Sequence, residues 1–365
     1  MRVLIANDKF KGSLTAVEAA EAIRAGLPSD WEIDLCPIAD GGEGFAETML
    51  SAAGGKWITV DTVDALFRPR TARIGLTEDG LAIMEMASAN GFELIAAEDR
   101  DILNSSTYGT GLMIREAVRR GAKRILIGIG GSATNDGGVG MADALGVLFL
   151  DEEEDSLTAT PAGLENLAII DREQRVELPP IHVACDVTNP VLGPNGATAI
   201  YGPQKGANES ELEFLESYLA HLVKVTGAQE MAELPGSGAA GGLGFGLMYF
   251  AGAELQSGFD LVAEGLDLEA RISAADLVIT GEGSLDAQSL EGKGPVGVAR
   301  LANELETPIF AIAGQVSEEV ITAGVFQKTG CLSDFKLSLE SICDCITPLS
   351  SFFTQLPFLL LHKWC

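Results

Sequence analysis

The chain has 365 residues, past the size at which one hydrophobic core usually divides, so two α/β domains are expected. Its 24 basic and 53 acidic side chains give a formal charge of −29 with no basic arm or stripe, which argues against nucleic acid and anionic membranes as partners. Three histidines leave little from which to build a His-based catalytic apparatus or a zinc site. A polyanionic ligand would have to be met by a few placed lysines, backbone dipoles and a divalent cation.

The opening MRVLIA runs straight into a strand pattern rather than a leader, and the late apolar run 346–361 is broken by Pro348 and Pro357. Only Cys36 and Cys185 precede residue 330, too few for a disulfide framework. The expectation is a cytoplasmic protein without a membrane span.

In chain order, residues 2–6 read as a strand ending in Asn7-Asp8-Lys9-Phe10-Lys11-Gly12-Ser13, with a helical pattern behind it from 16 onward. Two lysines and an aspartate at the carboxyl end of a strand suit a substrate carboxylate or phosphate. A solvated turn with an Asx cap fits the same residues. A second strand, 31–38, runs into Asp40-Gly41-Gly42-Glu43-Gly44 and another helix. Segments 56–64, 70–76 and 81–86 read as β, and Thr77-Glu78-Asp79-Gly80 marks a hairpin, so a mixed sheet begins here. The hydroxyl cluster 105–110 precedes a helix that it could cap, or whose end could bind an anion.

Residues 124–129 form a β-branched apolar run that stops in Gly130-Gly131-Ser132-Ala133-Thr134-Asn135-Asp136-Gly137-Gly138, with a helix close behind. A strand feeding a glycine-rich loop and a helix presents free N–H groups at a positive helix end, which is a phosphate cradle. Ser132, Thr134 and Asn135 add donors, and Asp136 is a possible metal ligand. Glycines that only let strand and helix pack closely are the alternative. The acidic run 151–155 reads as a solvated hairpin tip.

Strand 182–185 carries Asp186 at its end, a candidate general base or Mg²⁺ ligand, or a turn cap before Asn189-Pro190. Lys205 offers a further cation in a loop before the amphipathic helix 209–225, whose His221 reads as a packing residue. Gly236, Gly238 and Gly241 formally match G-x-G-x-x-G, but no good strand precedes them, so a second anion-binding helix start is the better reading. Strand 276–280 ends in Gly281-Glu282-Gly283-Ser284-Leu285-Asp286, followed by Gly292-Lys293-Gly294 before a helix, and 308–313 is the last clear strand. No P-loop motif occurs. Acid-and-glycine loops recur at Asp8, Asp40, Asp136, Asp186 and Asp286, which fits magnesium-assisted phosphoryl transfer better than hydride or acyl transfer.

Taken together these loops resemble the bacterial glycerate kinase family, of the glycerate 2-kinase type. The resemblance is carried by NDKFKGSLTA (7–16), ADGGEG (39–44), STYGTG (106–111), IGGSATNDGG (129–138), CDVTNPVLGPNGA (185–197), YGPQKGA (201–207), PGSGAAGGLGFGL (235–247) and ITGEGSLDAQSLEGKGPVGVA (279–299). It implies two α/β domains. One is an open parallel, flavodoxin- or Rossmann-like sheet built from 1–65 and 270–365; the other, 66–269, is a mixed-sheet domain inserted between them. It also implies ATP with Mg²⁺ and D-glycerate as substrates and 2-phosphoglycerate as product; the chain itself is expected as a monomer or homodimer. After about residue 322 the chain departs from the family, with four of six cysteines crowded into a tail that looks like a shifted reading frame.

Transfer to a hydroxyl needs a base, cations on the phosphates and a grip on the substrate carboxylate. On this reading Asp186 is base or metal ligand, with Asp8, Asp40 and Asp286 competing for the role and Asp136 as a second possible ligand. Lys9, Lys11 and Lys293 neutralise phosphate or hold glycerate. The remaining binding candidates are Ser13, Asp40, Gly41, Gly42, Gly130, Gly131, Ser132, Asn135, Lys205, Gly238, Gly241, Gly281 and Glu282. Two rivals stand beside this reading. Gly128, Gly130 and Ala133 fit G-x-G-x-x-A after a strand, the mark of an NAD-dependent oxidoreductase, and a non-catalytic small-anion sensor could use the same loops.

Overall fold

The computed structural model describes residues 1–10, 13–39, 44–287, 289–291 and 294–332. The chain divides into two compact units, Met1–Asp40 with Phe259–Cys365, and Gly41–Gly258. The first unit opens with β1 (Arg2–Ile5), α1 (Ala16–Ala25) and β2 (Glu32–Leu35). The second contains α2 (Phe45–Ala53), β3 (Lys56–Val63), β4 (Pro69–Leu76), β5 (Leu81–Glu85), α3 (Ala87–Asn90), α4 (Tyr108–Arg119), β6 (Arg124–Gly128) and α5 (Val139–Ala144). It continues with β7 (Leu148–Leu150), β8 (Ile169–Asp171), β9 (Ile181–Ala184), α6 (Ala197–Tyr201), α7 (Glu209–Thr226), α8 (Gln229–Ala232), α9 (Ala239–Ala251) and β10 (Glu254–Gln256). There follow α10 (Gly258–Gly265), α11 (Leu268–Ser273), β11 (Leu277–Leu285), α12 (Gly294–Glu304), β12 (Ile309–Val316), α13 (Glu318–Ala323) and β13 (Lys328–Cys331).

In the first unit every strand pairing is parallel, in the order β13-β12-β11-β1-β2. Alternation along the strands puts Val3, Ile5, Leu277, Ile279, Phe310 and Ile312 on one face, where Ala19, Ala20 and Ile23 of α1 cover them. Helix α1 starts where it does because Thr15 and Glu18 form a reciprocal capping box. From β1 the chain steps to β2 on one side, while β11, β12 and β13 step away on the other. The direction of winding therefore reverses between β1 and β11. In open α/β sheets the carboxyl ends of strands at such a switch point are where ligands bind.

The second unit has a mixed six-stranded sheet, β10-β9-β6-β5-β4-β3, and a separate β7–β8 ribbon. Strands β5, β6, β9 and β10 are parallel, whereas β4 is antiparallel to both its neighbours. The core is apolar and close-packed, with Met84, Met113, Ile127, Val183, Leu222, Phe245 and Phe250 fully buried. The 151–155 run is the tip between the Leu150–Ser156 bridge residues, stabilised by Asp151 accepting from the N–H groups of Glu153 and Asp155.

The unit boundaries fall at 40/41 and 258/259, not at 65/66 and 269/270. Strand β3 pairs with β4 along its whole length, from Lys56↔Leu76 to Val63↔Pro69, so residues 41–65 are part of the mixed-sheet unit. Through Leu332 the divergent tail continues the parallel sheet with β13 on its edge. The remainder, 333–365, lies outside the described residues.

Candidate active site

The loop after β6 departs from the expected cradle in an instructive way. Helix α5 begins only at Val139, and the positive helix end is occupied by the chain's own carboxylate. Asp136 is fully buried and accepts from Thr107 N–H (2.7 Å), Thr107 Oγ1 (2.8 Å), Gly138 N–H (3.0 Å) and Gly140 N–H (3.2 Å). It thus sits between the N-termini of α4 and α5, where a negative charge is favoured. Burial raises its pKa, and the Thr107, Gly138 and Gly140 donors oppose that rise. With four donors on two oxygens it is a fastening for two helices, which corrects its reading as a metal ligand. The 105–110 hydroxyls are spent internally too: Thr107 Oγ1 accepts from Met141 N–H, and Thr110 donates to Asn90.

The second glycine-rich loop packs against the first, backbone to backbone. Gly137 N–H donates to Gly241 O at 3.0 Å, and a Cβ on Gly241 would lie 2.0 Å from Thr134 O. A Cβ on Gly238 would lie 2.0 Å from Pro190 O. Ala240, Gly241 and Gly242 are all left-handed, and α9 is regular only beyond them. Gly238 and Gly241 are therefore close-packing residues, which corrects their reading as an anion-binding helix start. Asn135 is likewise buried, donating to Thr198 Oγ1 at 2.9 Å.

What remains open to a ligand is the start of the loop, Gly130 and Gly131, both exposed. Lys205 was expected to face a ligand; instead it is 4% exposed and lies beneath this turn. Its Nζ donates to Ser132 Oγ and to Thr134 O, both at 2.7 Å. Gly128 is in register with Ala184, so Gly130 and Asp186 leave neighbouring parallel strands at the same level. Asp186 is half-buried, and its Oδ1 accepts from Gly258 N–H at 2.8 Å and Ser257 Oγ at 3.4 Å. The G-x-G-x-x-A reading fails here, because no helix opens at Ala133, whose N–H donates instead to Asn90 O.

In the first unit the switch point gathers Asp8, Lys9, Gly281, Glu282 and Asp286 at one edge of the sheet. Asp8 N–H donates to Gly281 O at 2.8 Å, and Asp8 Oδ1 accepts from Lys9 N–H at 2.6 Å. Asp8 Oδ2 lies 3.5 Å from where a Cβ of Gly294 would stand, at the first residue of α12. Ser289 links two other acids: its Oγ donates to Glu282 Oε1 at 2.9 Å, and its N–H to Asp286 Oδ1 at 3.3 Å. Gly281 itself serves packing, since a Cβ there would be 1.9 Å from Ile312 O. Ser13 is half-buried in the turn after β1, its N–H donating to Phe10 O. Lys11, Asp40, Gly41, Gly42 and Lys293 lie outside the described residues.

Sequence reasoning missed Asn7, whose buried Nδ2 donates to Asp8 O and Ala16 O and so sets Asp8 against α1. It also missed Thr107 and Asn90 as the partners that close the β6 loop; no local signal marks either. Among the described residues no three His, Cys, Asp or Glu side chains converge as a metal cage, and no helix is long and apolar enough to cross a membrane.

The comparisons with known proteins agree with this architecture. The chain is 42% identical to the glycerate kinase of Bacillus subtilis (strain 168) over 330 residues, 87% of this chain and 86% of the relative. It is 43% identical to the glycerate 2-kinase of Escherichia coli (strain K12) over 334 residues, 88% and 87% of the two chains. A crystal structure from Salmonella typhimurium LT2, of a protein described as glycerate kinase 2, superposes with a TM-score of 0.84 at 39% identity, covering 97% of this chain and 98% of that one. The model of the glycerate kinase family matches residues 3–345, and the chain belongs to that family of phosphotransferases.

Proposed function

We propose that this glycerate kinase transfers the γ-phosphoryl group of Mg·ATP to the 2-hydroxyl of D-glycerate, giving 2-phosphoglycerate and ADP. The observation that carries this reading is the emergence of the exposed Gly130–Gly131 turn and Asp186 side by side from β6 and β9. Adjacent strands are about 5 Å apart, so a phosphate on the turn and a hydroxyl beside Asp186 would be neighbours. The 43% identity to a glycerate 2-kinase supports the C2 position.

Asp186 is oriented by Gly258 N–H and Ser257 Oγ, and in this role it accepts the proton of the substrate hydroxyl. The Gly130–Gly131 backbone receives phosphate oxygens. Lys9, with Lys11 and Lys293, supplies cations for the phosphates or the glycerate carboxylate. In the first unit Asp8, Glu282 and Asp286 offer hard oxygen donors of the kind Mg²⁺ prefers, so the residues present there fit that ion. When bound, Mg²⁺ neutralises charge on the phosphates.

The test is ADP release from ATP with D-glycerate, L-glycerate or no acceptor, with and without Mg²⁺, and assignment of the phosphorylated carbon by NMR. Turnover confined to D-glycerate with Mg²⁺ and a C2 product is expected; a C3 product or metal-independent turnover would overturn the corresponding part. Asp186→Asn should lower kcat on the order of a hundredfold or more while the fold is kept. A near-normal kcat would remove Asp186 from the base role.

A further inference from the structure

A lysine buried against neutral groups needs a reason. Lys205 is 4% exposed, and the two acceptors of its ammonium, Ser132 Oγ and Thr134 O, carry no charge. The third N–H has no acceptor among the described residues. Removing an ammonium from water is costly unless an ion pair or a full set of hydrogen bonds offsets it, and an apolar side chain of similar length would avoid that cost. The charged groups around it are few. Arg100 and Asp101 line the same small cavity, with Leu66, Phe92, Ile95 and Ala133, and Asp136 acts on it electrostatically. Asp136 is already engaged by its four donors.

Its partners explain the placement. Ser132 and Thr134 follow directly on Gly130 and Gly131, and the stretch is held from the other side by Phe92 N–H on Gly131 O and Ala133 N–H on Asn90 O. Lys205 closes the remaining side, from a turn 73 residues further along the chain. It also puts a positive charge directly under the exposed turn.

We propose that Lys205 is the positioning residue of the Gly130–Gly131 turn, its buried ammonium both shaping the turn through Ser132 and Thr134 and favouring an anionic group upon it. This rests on the reading that the turn receives a phosphate. Burial pulls the Lys205 pKa down to about 7, against the opposing pull of Asp136, so the free enzyme loses this charge near neutral pH. Ligand phosphate then stabilises the protonated form, and binding is accompanied by proton uptake.

The experiment measures KM for ATP and for D-glycerate, and kcat, from about pH 6 to 9, a span that brackets the lysine's value of about 7. Wild type, Lys205→Met and Ser132→Ala are compared, with the melting temperature of each. The wild-type KM for ATP should rise as pH passes through about 7. Lys205→Met should raise it on the order of a hundredfold at the acid end, as a displaced positioning element does, and leave it flat in pH. Ser132→Ala should raise it less and keep the pH dependence. If Lys205→Met does not fold, the Ser132→Ala profile decides. Folded variants with wild-type KM values for both substrates and the wild-type pH profile overturn the proposal. A pH-dependent rise confined to the glycerate KM supports Lys205 in its role but overturns the assignment of the turn to the nucleotide.

Discussion

Two regions share one local pattern, strand then acid-and-glycine loop then helix, and use it in opposite ways. After β6, Asp136 is fully buried and saturated by Thr107, Gly138 and Gly140, filling the helix ends that an external anion would otherwise occupy. After β1, Asp8 stands at the switch point of a parallel sheet, beside Glu282 and the first residue of α12. An aspartate after a strand is therefore not by itself a functional signal. What separates the two is the setting: Asp136 takes four donors from the starts of two helices, whereas Asp8 accepts from Lys9 N–H at the switch point of an open sheet, the place where such sheets bind ligands.

The sharpest way to break this comparison is to remove each acid. Asp136→Ala would strand buried donors from two helices; at about 1–3 kcal/mol for each, the loss should be roughly 4 kcal/mol or more. That is a large part of a domain's stability, and chemical denaturation would show it. Asp8→Asn keeps an acceptor for Lys9 N–H and should unfold within about 1 kcal/mol of wild type, while kcat/KM falls by about a hundredfold. If Asp8→Asn were as destabilising as Asp136→Ala and left kcat/KM intact, Asp8 too would be a fastening.

The next effect concerns glycines that look alike in the sequence. Gly241 and Gly131 both have positive φ, at 71° and 72°. A Cβ on Gly241 would stand 2.0 Å from Thr134 O, so backbone must move, and Gly241→Ala should cost roughly 3 kcal/mol. On Gly131 it would meet only Ala87 Cβ, at 3.5 Å. Gly131→Ala should cost about 1 kcal/mol, the left-handed penalty alone, yet raise the KM for ATP more than its stability loss would suggest. Equal stability losses with unchanged KM values would erase the distinction between packing glycines and ligand-facing ones.

Much of this was legible from residue order. The buried strands of both sheets, the hairpin at 77–80 and the capped helices follow from periodicity and turn residues, and the parallel unit built from both ends of the chain is implied by the family resemblance. What could not be read depends on partners distant in the chain. Thr107 lies 29 residues before Asp136, and Lys205 lies 73 residues after Ser132. The misplaced unit boundary has the same origin, because residues 56–63 look equally β-like whichever sheet receives them, and only the pairing with β4 decides. The glycines of 235–246 suggest an anion site locally; their close approach to 134–138 is a tertiary fact.

The smallest effect is the most specific, because it isolates one proton. Burial lowers the Lys205 pKa to about 7, whereas an unfolded chain holds it near the usual value of about 10.4. Between these values the unfolded state binds a proton that the folded state has released, so stability rises with pH across that window. Below about 7 both states are protonated and the cost of burying the ammonium is fully present. Lys205→Met removes this contribution and nothing else that titrates. The melting temperature of wild type relative to Lys205→Met should therefore climb from about pH 7 to 9, by about 2 °C per pH unit at most. Parallel curves for the two proteins would mean that Lys205 keeps its proton beneath the loop throughout, leaving the turn positively charged at every working pH.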